Sequence, residues 1–105
     1  MITQEQINQV RDKIVIEFDP EKIVLFGSYA YGDPNESSDL DLMVIKKSEE
    51  SLKILSKQLR QLFLKRNFSM DLIVCKPEQI EEWKEVPAAF VTGVMKHGKT
   101  IYEKY

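Results

Sequence analysis

The feature that most constrains this chain is a pair of acidic residues where an apolar run begins. Asp39 and Asp41 are separated by one residue and are followed by the apolar segment 42–45. Side chains alternate between the two faces of a β-strand, so both carboxylates are expected on one face, with Leu40 and Leu42 on the opposite face toward the core. Because two carboxylates at this spacing repel each other, the pattern predicts a site for a hard cation such as Mg²⁺ or Mn²⁺.

A third acidic residue interrupts a later apolar run. Asp71 lies between Met70 and Leu72 in the segment "MDLIVC", and an unpaired charge inside such a strand is unfavourable. The sequence therefore predicts one metal site formed by Asp39, Asp41 and Asp71. The alternatives are a pair of solvated loop acids and, for Asp71, an outward acid that discourages pairing at an edge strand.

A glycine and a serine follow the first apolar run, residues 23–26. The three residues after Ser28 can form one helical turn before Gly32. Backbone N–H groups at the beginning of such a turn have no partner, Gly27 allows a phosphate to approach the backbone, and the Ser28 hydroxyl can donate a further hydrogen bond. The pair predicts a phosphate-binding turn, although a Gly-Ser pair by itself is also typical of ordinary turns.

The rest of the pattern predicts an α/β (α+β) domain with a small mixed sheet of three strands. Strands are expected at residues 23–26, 40–45 and 68–75. Helices are expected over about 3–18 with a capping box from Thr3 and Gln6, after a cap at Ser48, over 77–83 beginning at Pro77, and from Pro87 to a C-terminal cap at Gly98. Residues 100–102 are expected to form a short tail. This order predicts a sheet covered chiefly on one face.

Length and composition limit the classes of function. The chain has 105 residues and a mass of 12.3 kDa, which predicts a single domain over residues 1–105. A net charge of −2 and a pI near 5.4 argue against general affinity for nucleic acid or anionic membranes. The apolar runs are much shorter than the ~20 residues of a membrane span, and the beginning of the chain does not resemble a signal peptide, so a cytoplasmic location is expected.

The order and spacing of the motifs resemble the minimal nucleotidyltransferase (MNT) group of the DNA polymerase β-like nucleotidyltransferase superfamily. The resemblance rests on Gly27-Ser28, ten intervening residues, the acids Asp39 and Asp41, and the later acid Asp71. The segments "LFGSYAYG", "SDLDLMV", "MDLIV" and "HGKTIYEK" also occur in the order that these small proteins show. The resemblance implies the palm fold of polymerase β.

The resemblance also implies roles for individual residues. Gly27 and Ser28 would contact the β and γ phosphates of a nucleoside triphosphate, and the resemblance implies that this substrate is ATP. Asp39 and Asp41 would bind two Mg²⁺ ions, and Asp71 would help to hold the catalytic ion and take the proton from the acceptor hydroxyl. All three acids would thus be both catalytic and metal-binding residues.

One residue departs from the pattern of that family. Many relatives carry Arg in the turn where this chain has Tyr31, so one positive charge near the phosphates is absent. Lys46, Lys47 or a residue of a partner chain would have to replace it, and the sequence does not choose among them.

The acceptor is implied only by the resemblance. Small relatives act beside a helical HEPN-domain toxin as its antitoxin, some by adenylylating a tyrosine of the toxin, and this is the expected activity and partner. One alternative is nucleotidyl transfer to a small hydroxylated molecule such as an aminoglycoside, which in that family normally requires a further domain. Another is a non-catalytic module that neutralises its partner by contact, which Tyr31 favours and the three retained acids oppose. Oligomeric state is left open.

Overall fold

The computed structural model describes residues 1–65, 68–86 and 89–104. Within these ranges the helices are α1 (Gln4–Phe18), α2 (Ser28–Tyr31), α3 (Leu52–Gln61), α4 (Pro77–Trp83) and α5 (Phe90–His97). The strands are β1 (Lys22–Phe26), β2 (Leu40–Ile45), β3 (Met70–Cys75) and β4 (Lys99–Glu103). None of the helices in these ranges is long and apolar enough to cross a membrane.

The strands form one mixed sheet in the order β3-β2-β1-β4. Strand β1 is antiparallel to both β2 and β4, whereas β2 and β3 are parallel and are joined through α3. The predicted α/β class is confirmed, but the predicted number of three strands is wrong. The expected tail at residues 100–102 is part of β4, because pairing with β1 holds it in the sheet.

Both faces of the sheet carry apolar clusters, so the prediction of a sheet covered chiefly on one face is wrong. The larger cluster joins α1 and α3 to the strand residues Ile23, Leu25, Leu40, Leu42, Val44, Leu72 and Val74. The smaller cluster contains Val24, Phe26, Met43, Ile45 and Cys75 of the strands and Val94 of α5. Strand β2 therefore packs on both sides, and Asp41 is its only residue that is not buried. A strand buried on both faces reads as a continuous apolar run, and this is the sequence of residues 42–45.

The beginnings of two helices show how local hydrogen bonds decide a cap. At α1 the predicted capping box is confirmed, with the Thr3 hydroxyl accepting from the Gln6 N–H at 3.1 Å. At α3 the predicted Ser48 cap is wrong. The Ser48 hydroxyl accepts from the Glu50 N–H at 3.1 Å in a local turn, and the Ser51 hydroxyl caps the helix three residues later.

Helices α4 and α5 pack on the smaller cluster. Their predicted ends agree with the structure wherever it describes those ends. Helix α4 begins at Pro77, as predicted. The predicted beginning of the last helix at Pro87 lies outside the described residues. Gly98 follows the end of α5 and donates its N–H to the Val94 carbonyl at 2.8 Å, so the predicted C-terminal cap is confirmed.

Candidate active site

Asp41 lies at the end of the sheet where strands β1, β2 and β3 run side by side. Its partner in the parallel register with β3 is Asp71, and its partner in the antiparallel register with β1 is Phe26. Asp39 immediately precedes β2. Because β2 lies between β1 and β3, it brings Asp41 next to Asp71 on one side and next to the turn at Gly27 on the other.

Gly27 provides the space that the Asp41 carboxylate occupies. A Cβ placed on Gly27 would overlap Oδ2 of Asp41 and would lie 3.0 Å from its Cγ. The backbone of Gly27 has φ +75° and ψ −161°, a conformation that is almost restricted to glycine. Glycine is thus required here both by the backbone and by the neighbouring carboxylate. The sequence had indicated only the approach of a phosphate.

The turn after Gly27 is the predicted single helical turn, α2. The Gly27 carbonyl accepts from the N–H groups of Ala30 and Tyr31 at 3.0 Å, and the Ser28 carbonyl accepts from the N–H of Gly32 at 3.0 Å. Ser28 is the first residue of the turn and is half-buried. The N–H groups of Ser28 and Tyr29 precede these bonds, and the first N–H groups of a helix have no acceptor within the helix.

The acids influence one another electrostatically. Burial, followed by the negative charges of Asp71 and Asp39, raises the pKa of the Asp41 carboxyl from 3.8 to about 6. Asp39 and Asp71 are themselves exposed. The predicted repulsion among the three acids therefore falls on Asp41, the member that the protein partly encloses.

The three acids do not form a preformed metal site in the described part of the chain. Among the residues that the structure describes, no three His, Cys, Asp or Glu side chains are grouped so that they could hold a metal ion. Their chemistry still fits Mg²⁺, because all are hard oxygen donors and their charges act on one carboxyl. The parallel register of β2 and β3 aligns Asp41 with Asp71. The metal-binding roles of Asp39, Asp41 and Asp71 stay a prediction.

A further surface feature, which the sequence did not reveal, lies beside the turn. It is an open apolar groove of about 620 Å³ between α2, the end of β1 and α5, and we call it the α2–α5 groove. Its lining residues are Phe26, Gly27, Tyr31, Ala89, Phe90, Gly93, Val94 and His97. Two aromatic side chains in it remain solvent-exposed, Tyr31 at 56% and Phe90 at 57%. These two residues are far apart in sequence, so no local pattern could join them.

Lys46 does not supply the positive charge that Tyr31 lacks. Its ammonium group donates to the carbonyls of Phe18 and Asp19 at 2.8 and 3.1 Å, at the end of α1. It lies beyond the opposite end of β2, roughly 16 Å along the strand from Asp41 at about 3.3 Å per residue. This candidate from the sequence is therefore excluded.

Comparison with known proteins agrees with this arrangement. The family model for polymerase beta nucleotidyltransferases matches residues 6–105. A protein of Methanocaldococcus jannaschii, named provisionally as a protein adenylyltransferase, is 30% identical over 82 residues, which are 78% of either chain.

Solved structures share the fold at lower identity. A provisionally named nucleotidyltransferase from Sulfolobus solfataricus has a TM-score of 0.66 at 18% identity, covering 93% of this chain and 78% of its own. A mutant of the toxin–antitoxin pair MntA–HpeT has a TM-score of 0.62 at 19% identity, with 92% and 73% covered. A spectinomycin adenyltransferase from Enterococcus faecialis, with ATP and spectinomycin, has a TM-score of 0.62 at 20% identity, with 98% of this chain but 57% of its own covered. Because the family model spans nearly all of the sequence, the chain belongs to the polymerase beta nucleotidyltransferase family and is an enzyme of that kind.

Proposed function

We propose that this nucleotidyltransferase transfers AMP from ATP to a tyrosine hydroxyl of a HEPN-type toxin partner, and so acts as its antitoxin. The observation that carries the proposal is the position of Asp41 between Asp71 and the turn at Gly27. The name of the Methanocaldococcus relative supports a protein acceptor. The toxin–antitoxin structure supports the kind of partner by its fold only.

The turn at the end of β1 would bind the phosphates. The N–H groups of Ser28 and Tyr29 at the beginning of α2, together with the Ser28 hydroxyl, would be donors suited to the β and γ phosphates. The tight fit of the Asp41 carboxylate against Gly27 would place an acid directly beside these phosphates. Two groups of like charge require a cation between them.

Asp39, Asp41 and Asp71 would hold two Mg²⁺ ions together with the triphosphate. Bound Mg²⁺ would neutralise the carboxylates and the phosphates and stabilise charge on the entering and leaving oxygens. This assignment agrees with the raised pKa of Asp41, because burial and the charges of Asp71 and Asp39 disfavour a negative charge there, and a bound cation would favour it.

The reaction would be an in-line displacement at the α-phosphorus. The acceptor oxygen forms a bond to the α-phosphorus while the bond from that phosphorus to the oxygen bridging to the β-phosphorus breaks, and pyrophosphate leaves. The proton of the acceptor hydroxyl passes to the exposed carboxylate of Asp71. β3 is the outer strand on that side of the sheet, and a protein acceptor would approach from there.

The test is transfer of label from ATP labelled at the α-phosphate. The chain would be incubated with Mg²⁺ and a purified HEPN-type partner, and separately with an aminoglycoside, with Asp41→Asn as the inactive control. We expect label on a tyrosine of the partner, located by peptide mass spectrometry. Label on the aminoglycoside alone would overturn the acceptor, and label on neither, together with undiminished neutralisation of the toxin by Asp41→Asn, would favour a non-catalytic module.

A further inference from the structure

We propose that the α2–α5 groove binds the nucleobase of the triphosphate, with the base stacked against Tyr31 and Phe90. The inference rests on the proposed function, because it places the remainder of a nucleotide whose phosphates are held at the Gly27 turn. It assigns a role to the aromatic residue that stands where many relatives carry arginine.

The groove is continuous with the proposed phosphate turn. Gly27 begins that turn and also lines the groove, and Tyr31 is the last residue of the same four-residue helix. A ligand anchored by its phosphates at Ser28 therefore has an apolar surface within the same short segment. The nucleobase is the flat aromatic part of a nucleoside triphosphate, and its faces can stack on aromatic side chains.

Phe90 is fixed in position although most of its surface is exposed. Its ring lies edge-to-face against the ring of Phe26, with the centroids 5.5 Å apart and an angle of 83° between the planes. Phe26 is buried at the end of β1. A ring that an aromatic neighbour contacts in a T-shaped arrangement, and that is 57% exposed, is a suitable stacking surface, because stacking requires an oriented ring with exposed area.

The order of the sheet favours the nucleobase over the acceptor as the occupant. Asp71 lies on β3, at one side of Asp41, whereas the groove adjoins β1 on the other side. The proposed acceptor hydroxyl must lie beside Asp71 to lose its proton there. The acceptor and the groove are therefore separated by β2, and the groove is left to the nucleotide.

The experiment compares two ligands that differ by the nucleoside. Calorimetric titrations would measure the affinities of Mg–ATP and of Mg–tripolyphosphate for the parent chain and for Tyr31→Ala, Tyr31→Phe and Phe90→Ala. Trp83→Ala is the matched control, because Trp83 is a 44% exposed aromatic residue that does not line the groove. Thermal melting of each variant would verify that it is folded.

We expect the parent to bind Mg–ATP at least about 10-fold more tightly than Mg–tripolyphosphate, equivalent to about 1.4 kcal/mol. Tyr31→Ala and Phe90→Ala should lose most of this preference and keep their affinity for tripolyphosphate, while Tyr31→Phe and Trp83→Ala keep the preference. Equal affinities in the parent, or an unchanged preference in folded Tyr31→Ala, would overturn the base site and leave the phosphate turn intact. Failure of the parent to bind tripolyphosphate would instead contradict the phosphate turn itself.

Discussion

The Asp41 carboxylate fills the space beside Gly27 that a side chain at residue 27 would occupy. A Cβ added to Gly27 would lie 3.0 Å from Cγ of Asp41. The proposed phosphate turn and the proposed metal ligand are therefore packed directly against each other. A side chain added at Gly27 must therefore displace the Asp41 carboxylate.

Gly27→Ala should consequently lower both stability and activity. A non-glycine residue at this φ and ψ costs about 1–3 kcal/mol, and each kcal/mol lowers the melting temperature of a domain of this size by roughly 4–8 °C. Gly93→Ala is the matched control for melting alone, since Gly93 also lines the α2–α5 groove. Among the described residues nothing outside its own helix lies within 4 Å of the added methyl group, and alanine favours a helix by up to about 1 kcal/mol. If the two variants melted alike, the close fit at Gly27 would be wrong.

Asp41→Asn should stabilise the metal-free protein in a manner that depends on pH. The pKa of Asp41 in the folded chain is raised from 3.8 to about 6, so the folded state binds this proton more tightly than the unfolded state. The resulting stability is complete below the unfolded value and is lost as the pH rises through about 6. Asparagine is neutral at every pH. The stability of Asp41→Asn relative to the parent should therefore increase as the pH rises from 3.8 through about 6.

Melting curves near pH 4 and pH 7 would measure this difference, which we expect to be about 1 kcal/mol after allowance for solvent screening of a half-exposed group. Asp33→Asn, an exposed loop carboxylate, serves as the control. An advantage of Asp41→Asn that is the same at both pH values would mean that neither burial nor the neighbouring acids raise the pKa of Asp41.

Mg²⁺ and ATP together should stabilise the parent chain. Ligands that bind only the folded state add about 2.7 kcal/mol at a hundredfold excess over the dissociation constant, which is easily visible in a thermal scan. The double variant Asp39→Asn with Asp41→Asn should lose this response and should also lose nucleotidyl transfer. A parent whose melting temperature is unaffected by saturating Mg²⁺ and ATP would contradict the proposed metal site.

Ser28→Ala should weaken triphosphate binding without altering the fold. A hydrogen bond to a charged group contributes about 1.5–3 kcal/mol, so the affinity for a non-hydrolysable ATP analogue should fall by roughly 10- to 150-fold. Ser37→Ala, in the exposed loop before β2, is the control. Calorimetry that finds the same affinity in both variants would remove Ser28 from the site.

Local patterns predicted most of the elements and failed where distant segments decide the structure. The capping box at Thr3 and the strand at residues 40–45 depend on neighbours in sequence, and both were predicted. Strand β4 was missed because residues 99–103 become a strand only by pairing with β1. The Ser48 cap was wrong because two serines compete for one helix and hydrogen bonding selects Ser51.

In the candidate site, too, local patterns predict single residues, whereas contacts between distant segments could not be predicted. Strand alternation predicts Asp39 and Asp41 on one face, and the apolar composition of the third strand singles out Asp71. The alignment of Asp71 with Asp41 depends on the parallel register of β2 and β3, which no local pattern specifies. The groove beside Gly27 likewise requires α5 to pack near α2.

The connections between the strands also determine the order in which the site can assemble during folding. Gly27 and Asp41 are brought together when the β1–β2 hairpin closes over residues 27–39, whereas Asp71 joins them only after the longer passage through α3. Contacts between distant segments form more slowly than those across short loops. The phosphate turn and its neighbouring acid thus form a unit that can appear early, and the acid assigned to proton transfer completes it late. A substitution that weakens α3, such as Leu59→Ala in its buried face, should delay the last step more than the first.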